Sequence, residues 1–139
     1  MTRINPEELA PAKGFSHAVV APAGRTVYLA GQTALDGSGR IVAIDDLVGQ
    51  FTQALGNLLA ALRAAGGVPE NLVSVRIYAV DLAAYRAVAR DLGEVWRRLC
   101  GREYPAMAAI GVARLWDAEA LVEIEGVAVV PEPDQPSTL

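Results

Sequence analysis

Few side chains in this 139-residue sequence are equipped for chemistry, and their types narrow what it could be. Glu123 and Glu125 lie two residues apart in "VEIEGVAVV", alternating with Val122 and Ile124. On a strand that spacing sends both carboxylates to the face opposite the apolar residues. A carboxylate there either faces solvent or serves as a proton-transfer group. Gly31 and Gln32 close the run "TVYLAGQ"; a glycine in a strand relieves crowding or lets the backbone approach a ligand. His17 is the only histidine, and a lone strand histidine is ordinarily a hydrogen-bonded structural residue. Cys100 is the only cysteine and reads as a small hydrophobe at a helix end. No nucleophile stands beside a base, no His/Cys/Asp/Glu spacing suits a metal, and no glycine-rich loop suits a phosphate.

Periodicity supplies the elements that must position these groups. "HAVVA" (17–21) and "TVYLAGQ" (26–32) read as strands joined by "PAGR" in a hairpin, with Gly24 at the turn. Asp45 or Asp46 can cap a helix whose stripe is Leu47, Phe51, Leu55, Leu58 and Leu62; Gly66 and Gly67 end it. "NLVSVRIYAV" (71–80) is a strand with Val73, Val75, Ile77 and Ala79 on one face and Ser74, Arg76 and Tyr78 on the other. Asp81 caps a second helix with the stripe Leu82, Tyr85, Val88, Leu92, Trp96 and Leu99, ended by Gly101. Residues 106–115 and 121–130 are two last strands joined by "WDAEA". The order is β-β-α-β-α-β-β. Each helix has one apolar stripe and so one buried side, which places two helices on one face of a mainly antiparallel sheet, an α+β fold. The other sheet face mixes polar and apolar residues, the pattern of a surface that packs on another subunit.

Length and composition fit one domain, residues 1–130, followed by a loose Pro-rich tail, 131–139. The chain is 53% hydrophobic and 20% charged, with formal net charge −4. Its basic residues are scattered, the tightest pair being Arg97 and Arg98, which argues against nucleic-acid binding. A single cysteine allows no disulfide within the chain, and neither a signal-type N-terminus nor a run of roughly 20 apolar residues is evident. A cytoplasmic protein without membrane contact is expected.

Five segments in order resemble the Rid family, the YjgF-like proteins also called the L-PSP group. "KGFSHAVV" (13–20) is similar to the family's opening segment, and "VYLAGQTALD" (27–36) to its second strand with an Ala-Gly-Gln turn. "QALGNLLAALRAAGG" (53–67) resembles its first helix, and "YPAMAAIGVARL" (104–115) with "VEIEGVAVV" (122–130) its final hairpin. The resemblance implies a chorismate-mutase-like fold and a homotrimer with small-molecule sites in the clefts between subunits. It also implies hydrolysis of enamines and imines such as 2-aminoacrylate, with no metal or organic cofactor because the substrate is already activated.

Such a site needs a cation for the substrate carboxylate, ideally a bidentate arginine, a carboxylate to place water, and apolar walls. The family's arginine follows Pro-Ala; here that position is Met107, and the serine after it is Ala108. Methionine has neither charge nor donor. Arg114 lies seven residues on, roughly 23 Å along a strand at about 3.3 Å per residue and on the other face, so it is no substitute. Arg102 precedes the strand. Phe15 stands at the family's tyrosine, and a site-proximal asparagine aligns near Ala89. The resemblance leaves Glu123 as the candidate catalytic, water-holding acid, with Phe15, Gly31, Gln32, Trp96, Met107 and Ala108 as substrate-binding residues and no metal. Three functions compete: an imine or enamine hydrolase with altered substrate preference, a non-catalytic metabolite-binding trimer, and a ribonuclease, which the acidic charge disfavours.

Overall fold

A computed structural model describes residues 1–133 of the chain. Strands β1 (Thr2–Ile4) and β2 (Ala18–Val20) form a small antiparallel pair. The main sheet holds β3 (Arg25–Gln32), β4 (Leu72–Ala79), β5 (Ala106–Gly111) and β6 (Val122–Val130) in the order β3-β6-β4-β5. Helices α1 (Leu47–Ala64), α2 (Leu82–Ala87) and α3 (Ala89–Cys100) complete the regular elements, with a 3-10 turn at Pro69–Asn71. The α+β class holds, with α1 packed on β3 and β6 and α3 against α1. Most of the tail expected at 131–139, from residue 134 on, lies outside the described residues.

The helix caps follow the sequence. Asp46 accepts from the Gly49 N–H at 2.9 Å and Asp81 from the Ala84 N–H at 3.0 Å. Gly66 and Gly101 adopt positive φ, +87° and +82°, just beyond α1 and α3. Along α1, Phe51, Leu55, Leu58 and Leu62 are buried against the sheet, as their spacing requires.

Sheet order departs from the expectation in two places. The last two strands do not form a hairpin. The β4–α2–α3–β5 crossover returns the chain in the same direction, so β5 pairs parallel with β4, while β6 enters antiparallel between β3 and β4. Strand β5 also stops at Gly111 rather than running to Leu115. Nor do β2 and β3 form a hairpin, because β2 pairs with the unforeseen β1. Gly24 serves a close approach instead: a Cβ there would come within 2.6 Å of the Val130 carbonyl oxygen.

Two smaller differences have local causes. A register shift between Leu72 and Ser74 puts Leu72, not Val73, in the core with Val75, Ile77 and Ala79. The second helix breaks at Val88, whose backbone leaves helical geometry (φ −109°, ψ 18°), so α2 and α3 are separate segments.

Gln50 is a buried polar residue that the apolar stripe of α1 did not predict. It is 0% exposed; its Oε1 accepts from the Leu121 N–H at 2.8 Å, and its Nε2 donates to the Glu119 carbonyl at 3.0 Å. It therefore ties the start of α1 to the chain entering β6. Gln50→Leu would leave a buried N–H and a buried carbonyl without partners, and urea denaturation is expected to read a loss of roughly 1–3 kcal/mol. An unchanged midpoint would show that water replaces both bonds.

Candidate functional site

Alternation on β5 decides which side of the sheet each candidate occupies. Met107 pairs with Val75 and Ala109 with Ile77, on the helix-facing side; Ala108 pairs with Arg76, on the outer side. Met107 thus forms part of the floor of a cleft of about 520 Å³ between the β4–β5 edge and α3. Ile77 completes that floor, and Phe51, Tyr85, Trp96 and Tyr104 form its walls. Phe51 and Tyr85 meet edge to face at 6.3 Å between ring centres.

The rim is positive. Arg90 and Arg97 come from α3, and Lys13 from the segment before β2. That segment is held by Ser16, whose N–H donates to the Pro105 carbonyl at 2.9 Å and whose hydroxyl donates to the Tyr104 carbonyl at 2.7 Å. Gly93 matters here for space rather than conformation: a Cβ at this position would stand 3.2 Å from an Arg97 guanidinium nitrogen. The Arg97 side chain therefore lies back over the preceding turn of α3. Burial pushes the Tyr85 phenol up to about 12, so it is neutral at ordinary pH and no base.

Glu123 lies elsewhere. It belongs to the outer sheet face with Glu125 and Val127, and it lines an open groove with Arg114, Leu115 and Trp116. Because β5 ends at Gly111, the chain turns and Arg114 lines this outer groove; it is absent from the Met107 cleft, so it does not replace the strand cation there. Gly31 lies directly against Glu123: an added Cβ would overlap Oε1 and come within 2.9 Å of Cδ. Next to it, Tyr78 donates a very short hydrogen bond to Glu125, which raises the phenol's pKa. Gly31→Ala is expected to swing the Glu123 carboxylate away at under about 1 kcal/mol, since a flexible side-chain end must yield. A nearly unchanged melting temperature with altered activity would fit; a large stability loss would mean the backbone moves instead.

The candidate residues are therefore divided within one chain. Trp96 and Met107 meet in the helix-side cleft, and the aligned Ala89 joins them. Glu123 and Gly31 meet on the outer face. Ala108 is exposed on that face too, and half-buried Gln32 pairs with Ile124 at the end of β3. Phe15 is half-buried and meets the His17 ring edge-on at 5.0 Å. His17 hydrogen-bonds through Nε2 to the Ala10 carbonyl at 2.7 Å, a structural contact. Cys100 is buried, and its thiol is pushed up to about 12, largely by burial. No group of three or more His, Cys, Asp or Glu able to hold a metal occurs among the described residues.

Sequence reading missed Lys13, Arg90 and Arg97 as cleft residues and took Phe51 and Tyr85 for core alone. The available signal was helical spacing: Ala89, Gly93, Trp96 and Arg97 lie on one side of α3, at steps of four, three and one.

Comparison with known proteins decides the kinship. The family model described as Endoribonuclease L-PSP matches residues 5–130. The chain belongs to the Rid (L-PSP) family. RutC family protein UK114 of Drosophila melanogaster is 34% identical over 119 residues, covering 86% of this chain and 81% of that protein. The 2-iminobutanoate/2-iminopropanoate deaminase of Mus musculus is 32% identical over 120 residues, covering 86% and 85%. Among solved structures, the Rid-family protein YyfB from Yersinia pestis, described as of unknown function, superimposes with a TM-score of 0.82 at 38% identity, covering 93% of this chain and 98% of that one. The sheet and helices described above are thus the Rid fold. No helix among the described residues is long and apolar enough to cross a membrane.

Proposed function

We propose that this Rid-family chain handles a small molecule as an enamine or imine hydrolase whose substrate preference is set by Met107. In that reaction water adds to the imine carbon, the carbon–nitrogen bond breaks, and a 2-keto acid and ammonia leave. Support comes from relatives named as 2-iminobutanoate/2-iminopropanoate deaminases. The observation that carries the altered preference is Met107 itself, an uncharged side chain in the cleft floor where the resemblance expects an arginine. Within one chain Glu123 and Met107 stand on opposite sheet faces, so a catalytic site using both needs two subunits. A homotrimer with clefts between subunits is part of this reading. The outer face supports it, since Tyr28 is 81% exposed and Ile110 37% exposed there. A location in the reducing cytoplasm is also part of this reading, and the unpaired Cys100 suits it.

The test is release of ammonia and keto acid from imines generated enzymatically from several amino acids. Release above the buffer rate is expected; its absence with every source overturns the hydrolase reading. Light scattering should give three times the chain mass.

One observation favours a second reading, a non-catalytic metabolite-binding trimer. No carboxylate lines the helix-side cleft, and its Tyr85 stays neutral, so the cleft taken alone binds without a base. A metabolite that raises the melting temperature without being consumed would support this reading over hydrolysis. Ribonuclease activity fits the surface poorly: with 12 basic against 16 acidic residues, salt-sensitive RNA binding is not expected.

A further inference from the structure

The helix-side cleft has lost its cation from the strand but is not short of positive charge. Lys13, Arg90 and Arg97 ring it, and none of its lining residues is acidic. All three are exposed, and none forms a salt bridge among the described residues, where the ion pairs are Arg3–Glu103 and Arg25–Glu132. This concentration stands out in a chain of net charge −4. The rest of the cleft is apolar or aromatic. Its volume of about 520 Å³ falls within the roughly 300–1,000 Å³ of sites for drug-sized ligands, well beyond a three- or four-carbon acid. A second feature points to a ligand. Trp96 lines the cleft and is 4% exposed, and its indole N–H has no hydrogen-bond partner among the described residues. A buried donor left unmet is uncommon.

We infer that the anion-holding role has moved from the strand to α3. Arg90 and Arg97, with Lys13 opposite, select a carboxylate carried on a bulky aromatic or apolar body. Arg97 is placed for this by Gly93, whose missing side chain lets the guanidinium fold back over the helix. The body occupies the space between Phe51, Tyr85, Trp96 and the Met107 floor, where a methionine supplies an adaptable apolar contact and an arginine would fill room the ring needs. Specificity then comes from charge at the rim and shape at the floor. This inference rests on the reading that the cleft is the ligand site, but not on whether the ligand is hydrolysed.

Calorimetric titration of the wild-type protein with phenylacetate, phenylacetamide and acetate tests it. Phenylacetate is expected to bind at least ten-fold more tightly than its neutral amide, acetate to give no measurable binding, and added salt to weaken phenylacetate alone. The Arg90→Gln/Arg97→Gln double variant should abolish the preference for the acid. Arg98→Gln, on the same helix but outside the cleft, should retain it. Both sets change exposed helix positions, and unchanged melting temperatures will show that the fold is intact. Equal affinity for acid and amide, no binding of either, or a preference that survives the double variant overturns the inference. Imine turnover, measured separately on the wild type, distinguishes this failure from failure of the hydrolase reading: either result can fail while the other stands.

Discussion

Met107→Arg is expected to raise hydrolysis of 2-aminoacrylate by roughly 10–100-fold. A charge-assisted hydrogen bond contributes about 1.5–3 kcal/mol, and each 1.4 kcal/mol is a factor of ten. The position can take the change, because Met107 is only half-buried and β5 is the edge strand of the sheet. The fork of an arginine matches a carboxylate with two parallel bonds, so Met107→Lys, a point charge on a flexible stem, should gain less. Short imino acids, which from the floor cannot span to the α3 arginines, should benefit most; bulky ones should gain little or lose, since the new side chain takes the space of their ring. Steady-state kinetics with a short and an aromatic amino-acid source reads both. If the folded variant hydrolyses short imines no faster than the wild type, the missing clamp is not what sets the preference, and the cause lies with Glu123 or the subunit arrangement.

Phe51→Ala should cost about 3–5 kcal/mol, the range for deleting a buried aromatic side chain. Phe51 is 2% exposed and sits in the core cluster between α1 and the sheet, yet it also forms a wall of the cleft. Against a total stability of roughly 5–15 kcal/mol that loss is large, and a fall in melting temperature of roughly 10–20 °C should accompany it at fixed protein concentration. Ligand affinity should fall as well, because Tyr85 loses the ring it meets edge to face. A loss below about 1 kcal/mol would mean that the cleft wall collapses to fill the gap and that Phe51 is not rigidly placed.

Both predictions turn on residues whose significance was unevenly visible beforehand. The substitution at Met107 was legible as text, because a resemblance across five ordered segments showed what type of residue was expected there. Its companions were not. Lys13 is distant in sequence from Arg90 and Arg97, and only the docking of the 13–16 segment onto Tyr104 and Pro105 and of α3 onto the core brings them together. Gln50 drew no reading from the helical stripe beside it; its role needs Leu121, 71 positions away. An unbroken strand was expected from Met107 to Arg114, but β5 ends at Gly111, and Arg114 lines the outer groove with Glu123, away from the Met107 cleft.

By itself the sequence determined whatever depends on nearest neighbours along the chain. Period-3.6 and period-2 apolar patterns, Asp caps and terminal glycines define α1, most of α2–α3 and the faces of β4 and β6, because these are set by local geometry and by which side must leave water. Tertiary structure alone decided which strands pair. Backbone hydrogen bonding is equally satisfied by either neighbour, so β6 between β3 and β4, and β2 beside β1, follow from helix crossovers and close approaches such as Gly24 to Val130, not from strand composition. It also decided the site: pairing register alone sent Met107 to the cleft and Ala108 to the outer face. What the strand lacks in charge at Met107 the helix supplies at Arg90 and Arg97, a compensation that exists only once α3 and β5 line one cleft.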